Sequence, residues 1–134
     1  MRKISKIILH CSATKEGQIF TTKDIDRWHK QRGWNSIGYH YVILLDGIIQ
    51  LGRPESEIGA HTIGQNTDSI GICYIGGLDQ EGKAKDTRTN QQKTMLKILV
   101  SDLLEKHPGS MVYGHNEFAN KACPCFDVKK EFRS

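Results

Sequence analysis

Six histidines and four cysteines in 134 residues are the side chains best suited to hold a metal ion or move a proton. His10 ends the apolar run Ile7-Ile8-Leu9, and His115 follows a second short run, Met111 to Gly114. Both imidazoles are therefore expected where strands leave a sheet and side chains line a crevice. Cys123 follows His115 by eight residues. Two imidazoles and a thiolate suit zinc, at about 2.0–2.1 Å for nitrogen and about 2.3 Å for sulfur, and three protein ligands leave the fourth position for water, as catalytic zinc requires. The plainer reading makes His10 and His115 hydrogen-bonded loop residues. Spacing alone does not choose the sulfur, because Cys123 and Cys125 would face the same way in an extended segment. A CxC redox pair is a further reading, although the usual redox spacing is CxxC. Cys11 should point away from His10 on a regular strand and is not expected to bind metal. Cys73, inside the run Ile70 to Ile75, fits a small core residue.

Those residues need elements to position them. Lys6 to Cys11 reads as a buried strand. Thr21 or Thr22 can cap a helix, with Thr21-x-x-Asp24 as a capping box; Ile25, Trp28 and His29 share a face, and Gly33 stops the helix. Tyr39 to Leu45 is strand-like, and Asp46-Gly47 followed by Ile48 to Leu51 predicts a hairpin. Ser69 to Ile75 is another buried strand, and Gly76 to Arg88 a polar loop. Thr89, with Gln92 as its box partner, caps a long helix whose stripe is Met95, Leu96, Leu99, Val100, Leu103 and Leu104, ended by His107-Pro108-Gly109. Met111 to Gly114 is a short strand, and Asp127 to Arg133 a final helical turn or two. Strands and helices alternating around a hairpin predict an α/β fold: one domain over 1–134, with a mixed central sheet flanked by about three helices.

Composition narrows the partners. A 37% hydrophobic and 25% charged chain of this length fits one globular domain. No run of about 18 apolar residues predicts a membrane span. The short apolar stretch after Met1 leads into His10 and Cys11 rather than a small-residue cleavage site, so no signal peptide is expected and synthesis is cytoplasmic. Thiols made there should stay reduced. The net charge of +4 is scattered, with no basic stripe or module for nucleic acid, though it would favour an anionic polymer such as cell wall. A monomer is expected.

The segments Ile8-Leu9-His10-Cys11-Ser12-Ala13-Thr14, Gly38-Tyr39-His40-Tyr41, Ser69-Ile70-Gly71-Ile72, Gly114-His115-Asn116-Glu117 and Lys121-Ala122-Cys123-Pro124 stand in this order. Together they resemble the type 2 N-acetylmuramoyl-L-alanine amidases, above all the small phage lysozymes of that family, and more distantly the peptidoglycan recognition proteins. The resemblance runs from Lys6 to about Val128. It implies one Zn2+ per chain on His10, His115 and Cys123, with Tyr39 and Lys121 as catalytic residues that do not bind the metal. It also settles the sulfur on Cys123, since Cys125 stands where relatives often carry serine. His61 resembles a groove residue near the family's substrate site, with Asn66 and Ser69 beside it; a polar loop role is the alternative. His40 is expected to turn into the layer opposite Tyr39 and be structural, as are His29 and His107. Trp28 reads as core and Trp34 as core or groove wall. The implied reaction is hydrolysis of the bond between N-acetylmuramic acid and L-alanine in peptidoglycan, reached through release by another factor. The alternatives are a module that binds muropeptide without cutting it, disfavoured by the presence of Cys123, and an amidase that also restrains an RNA polymerase.

Overall fold

Two segments of this chain are apolar at nearly every position, which is what a strand covered on both faces requires. These are β1 (Lys6–Cys11) and β5 (Ser69–Tyr74), and they pair in parallel at the middle of the sheet. In the computed structural model, which describes residues 2–133, the order is β4-β3-β5-β1-β7, where β3 is Tyr41–Ile43, β4 Ile49–Leu51 and β7 Met111–Gly114. Only the β3–β4 hairpin is antiparallel. It turns at Asp46-Gly47, where Gly47 takes φ +90°, a conformation that costs a side-chain-bearing residue more. The expected Tyr39–Leu45 strand is thus shorter at both ends, although Arg53 N still donates to Tyr39 O and His40 N to Gly71 O.

The helix α1 (Thr22–Gln31) starts at the predicted box, Thr21 N donating to Asp24 Oδ2 at 2.9 Å, and ends just before Gly33. The long helix α2 (Asn90–Lys106) starts at Thr89, whose Oγ1 accepts from Gln92 N at 3.0 Å. Gln92 is fully buried, and its Nε2 donates to Ile43 O and Ile75 O, tying the helix to two strands. Lys129–Arg133 adds one short helical turn, the third helical piece the sequence led one to expect. The segment read as a polar loop, Gly76 to Arg88, also holds β6 (Gly77–Leu78), paired with β2 (Thr14–Lys15); two-residue strands leave no periodicity to detect.

Strand alternation sends the two faces of the sheet to different fates. One face places Ile7, Leu9, Ile43, Ile70, Ile72 and Tyr74 against Leu96, Leu99, Val100 and Leu103 of α2. Val42, Cys73 and Ile75 on the other face pack with Ile25 of α1 and Ile37. That second cluster covers only part of its face. The remainder holds His10.

Candidate metal and catalytic site

His10 is the fifth residue of β1 and 1% exposed. Parallel pairing sets Leu9 opposite Gly114, so the chain leaving β7 brings His115 to its side. The His10 and His115 Nδ1 atoms are 3.2 Å apart. Cys123 comes from a segment without regular structure, and its Sγ lies 3.9 Å from His10 Nδ1. Long-range ties fix that segment. Tyr74 Oη donates to Pro124 O at 2.7 Å, Cys11 N donates to Cys123 Sγ at 3.1 Å, and Val128 is buried in the α2-side core. Arg88, itself buried, pairs with Asp86 and Glu131 and lies 3.5 Å from the Phe126 ring centre.

The donor set fits zinc. One ligand atom from each of His10, His115 and Cys123 lies within 4.8 Å of the others. Tetrahedral zinc bond lengths imply separations of about 3.3 Å between nitrogens and about 3.6 Å from nitrogen to sulfur, close to those found. Burial, then the neighbouring His61, His115 and Lys121, pushes the His10 pKa well below 6.5. Burial and Lys121 lower His115 likewise. Both shifts favour the neutral ring, the form a metal ligand requires.

Cys125 is not an equivalent ligand. It takes φ +71°, which breaks the extended alternation, and its Sγ approaches Cys11 Sγ at 3.9 Å and Gly77 O at 3.3 Å. Cys11 stays out of the ligand group, on the α2 side of the sheet.

Tyr39 and Lys121 line one cavity with His115, Cys123, Trp28 and Arg32. The Tyr39 ring centre is 5.1 Å from that of His10. Burial, reinforced by the nearby thiols of Cys73, Cys123 and Cys11, pushes the Tyr39 pKa well above 10. Lys121 is exposed. An adjoining cavity shares Arg32, His115 and Lys121, and is walled by Trp34, Ile63 and Phe118. Trp34 is therefore a groove wall, its ring tilted 57° to that of His29 with ring centres 4.5 Å apart.

His61 and Asn66 also border that groove, but both His61 ring nitrogens and the Asn66 Oδ1 are already hydrogen-bonded within the protein. His61 is 9% exposed, with Nδ1 2.9 Å from His10 Nε2. Asn66 Oδ1 accepts from the backbone N–H groups of His61 and Thr62 at 3.0 and 2.9 Å. His40 does not enter the opposite layer. It shares the face of Val42, two residues on, and it is Tyr39, ahead of the strand, that breaks alternation and comes to the same side. The His40 ring centre lies 5.9 Å from that of His61 and its Nδ1 accepts from Gly71 N. It remains structural, as does His29, whose Nδ1 accepts from Gly38 N. Sequence reasoning missed Arg88, Tyr74 and Thr62, because none stands in a local pattern that foretells its distant partner.

Residues 1–126 match the family described as N-acetylmuramoyl-L-alanine amidase. The endolysin of Escherichia phage T7 is 44% identical over 124 residues, covering 92% of this chain and 82% of that protein. The solved N-acetylmuramoyl-L-alanine amidase LysC from Clostridium intestinale URNW superposes with a TM-score of 0.82 at 31% identity, covering 97% of this chain and 85% of its own. Wild-type Drosophila PGRP-LB superposes with a TM-score of 0.78 at 29% identity, over 92% and 76% of the two chains. A match that spans His10, His115 and the cysteine segment leaves one assignment: this chain belongs to the N-acetylmuramoyl-L-alanine amidase family.

Proposed function

We propose that this chain is a zinc-dependent, endolysin-like hydrolase that cleaves the amide bond between N-acetylmuramic acid and L-alanine in bacterial peptidoglycan, acting as a monomer with one zinc. The observation that carries the reading is the convergence of His10, His115 and Cys123 beside a cavity that also holds Tyr39 and Lys121. His10 Nδ1, His115 Nδ1 and Cys123 Sγ would hold the ion. Zinc there supplies Lewis acidity, which activates water and polarises an amide carbonyl.

The chain's own residues supply the rest. The Lys121 ammonium, free at the cavity rim, adds positive charge where the carbonyl oxygen gains negative charge. Tyr39, in the same cavity and with its ring centre 5.1 Å from that of His10, would orient the attacking water or relay its proton. Arg32 and Lys121 make the groove cationic, and Trp34, Ile63 and Phe118 give it apolar walls, a lining that suits an acidic peptide on a sugar. No helix among the described residues is long and apolar enough to cross a membrane. The proposed enzyme meets the wall after release by another factor.

Metal analysis with a turbidity assay on purified sacculi tests this. The expected result is about one zinc per chain, clearing of sacculi, and loss of clearing with chelator. A protein that sediments with sacculi and releases no peptide would be a binding module instead.

A further inference from the structure

The side of His10 that faces away from the ligand cluster is built as carefully as the cluster itself. His10 Nε2 lies 2.9 Å from His61 Nδ1 and 3.2 Å from Thr62 Oγ1. Thr62 Oγ1 is 2.9 Å from His61 Nδ1, and His61 Nε2 is 3.3 Å from Ser69 Oγ. Thr62 is 2% exposed and Ser69 is fully buried, so bulk water does not compete for these bonds. Space for the His61 ring comes from two glycines. A Cβ on Gly71 would lie 2.6 Å from His61 Cγ, and one on Gly59 2.7 Å from His61 Cδ2. Asn66, holding both backbone N–H groups at 61 and 62, fixes the bend that delivers the ring.

We infer that His61 is a positioning residue for the metal ligand, fixing the tautomer and ring orientation of His10 through a relay ending at Ser69. The inference rests on the zinc reading above. With Nδ1 of His10 committed to the metal, its one ring proton sits on Nε2 and donates to His61 Nδ1. His61 then carries its own proton on Nε2 and donates to Ser69 Oγ. Thr62 supplies a hydroxyl that accepts from His10 or donates to His61. Ligating histidines depend on such a partner for the free ring nitrogen, and its loss typically weakens metal binding about 10–100-fold.

The test is zinc affinity, measured by competition with a chromophoric chelator. His61→Leu is expected to raise the zinc Kd about 10–100-fold. His61→Asn, whose Oδ1 can accept the same bond, should return it close to wild type, and Ser69→Ala should cause a smaller loss than His61→Leu. In wild type, nitrogen-15 NMR of the zinc-bound protein should show His10 protonated on Nε2. Wild-type zinc affinity in His61→Leu, with only KM raised, would make His61 a groove residue and overturn the inference. An Asn variant that folds but binds zinc as poorly as Leu would also overturn it, by showing that the lost hydrogen bond is not the cause. Wild-type protein that takes up no zinc would instead sink the metal reading, and this inference with it.

Discussion

Gly71 and Ile72 are neighbours on β5, yet they look into two different interiors. Ile72 enters the mainly apolar layer under α2, where an aliphatic side chain is replaceable by another of similar volume at modest cost. Gly71 faces the half-covered side, where the absent side chain leaves room for the His61 ring behind His10. One strand thus serves stability with one face and chemistry with the other. The buried polar groups concentrate on the second face, where each must be individually partnered because an unpaired one is costly. No buried side-chain nitrogen or oxygen among the described residues lacks a partner.

The comparison can be broken by substitutions of graded size. The largest effect is expected at the ligands: His10→Ala or Cys123→Ala should leave no stoichiometric zinc and no clearing of sacculi, with the fold retained by circular dichroism. Next, Lys121→Met should lower kcat/KM about 10²–10³-fold with zinc content unchanged, the usual loss when one group stabilising an oxyanion is removed. Tyr39→Phe should likewise abolish most turnover and keep zinc; an active Phe variant would remove Tyr39 from the mechanism. On the opposite face, Ile72→Val should cost about 0.5–1.5 kcal/mol in denaturant unfolding and leave zinc affinity alone. Gly71→Ala, whose Cβ would meet the His61 ring, should weaken zinc binding; should Ile72→Val weaken it as much, the two faces are not separable.

The smallest effect concerns acid. The hydrogen bond from Arg88 holds the Glu131 carboxyl below its usual range, and that from Lys6 does the same for Asp68. Groups with depressed folded pKa stabilise above their unfolded values and lose that contribution as pH falls through the folded ones. These two carboxylates should therefore contribute a drop in melting temperature between about pH 5 and pH 3, added to the loss from the buried, neutral His29 and His61, and Glu131→Gln should flatten its own share of the slope, since an amide at that position no longer titrates.

What could be read from the chain was what local pattern encodes. The capping boxes at Thr21 and Thr89, the hairpin at Asp46-Gly47 and the apolar strands all follow from neighbours in sequence. His10 and His115 were legible as strand-end residues, while the preference for Cys123 over Cys125 as the proposed third ligand came from resemblance; spacing left it open. Its structural reason is the left-handed turn at Cys125, which an alternating pattern cannot announce. Illegible too was the depth of His61, which depends on a glycine ten residues away making space. Arg88 looked like the end of a polar loop because Glu131, its partner, lies 43 residues further on.

X-ray absorption at the zinc edge of the loaded protein tests the central claim most directly. The expected shell has one sulfur at about 2.3 Å and two imidazole nitrogens at about 2.0–2.1 Å, with one further light atom. A shell without sulfur, or with two sulfurs, would contradict the assignment of His10, His115 and Cys123 as the ligand set.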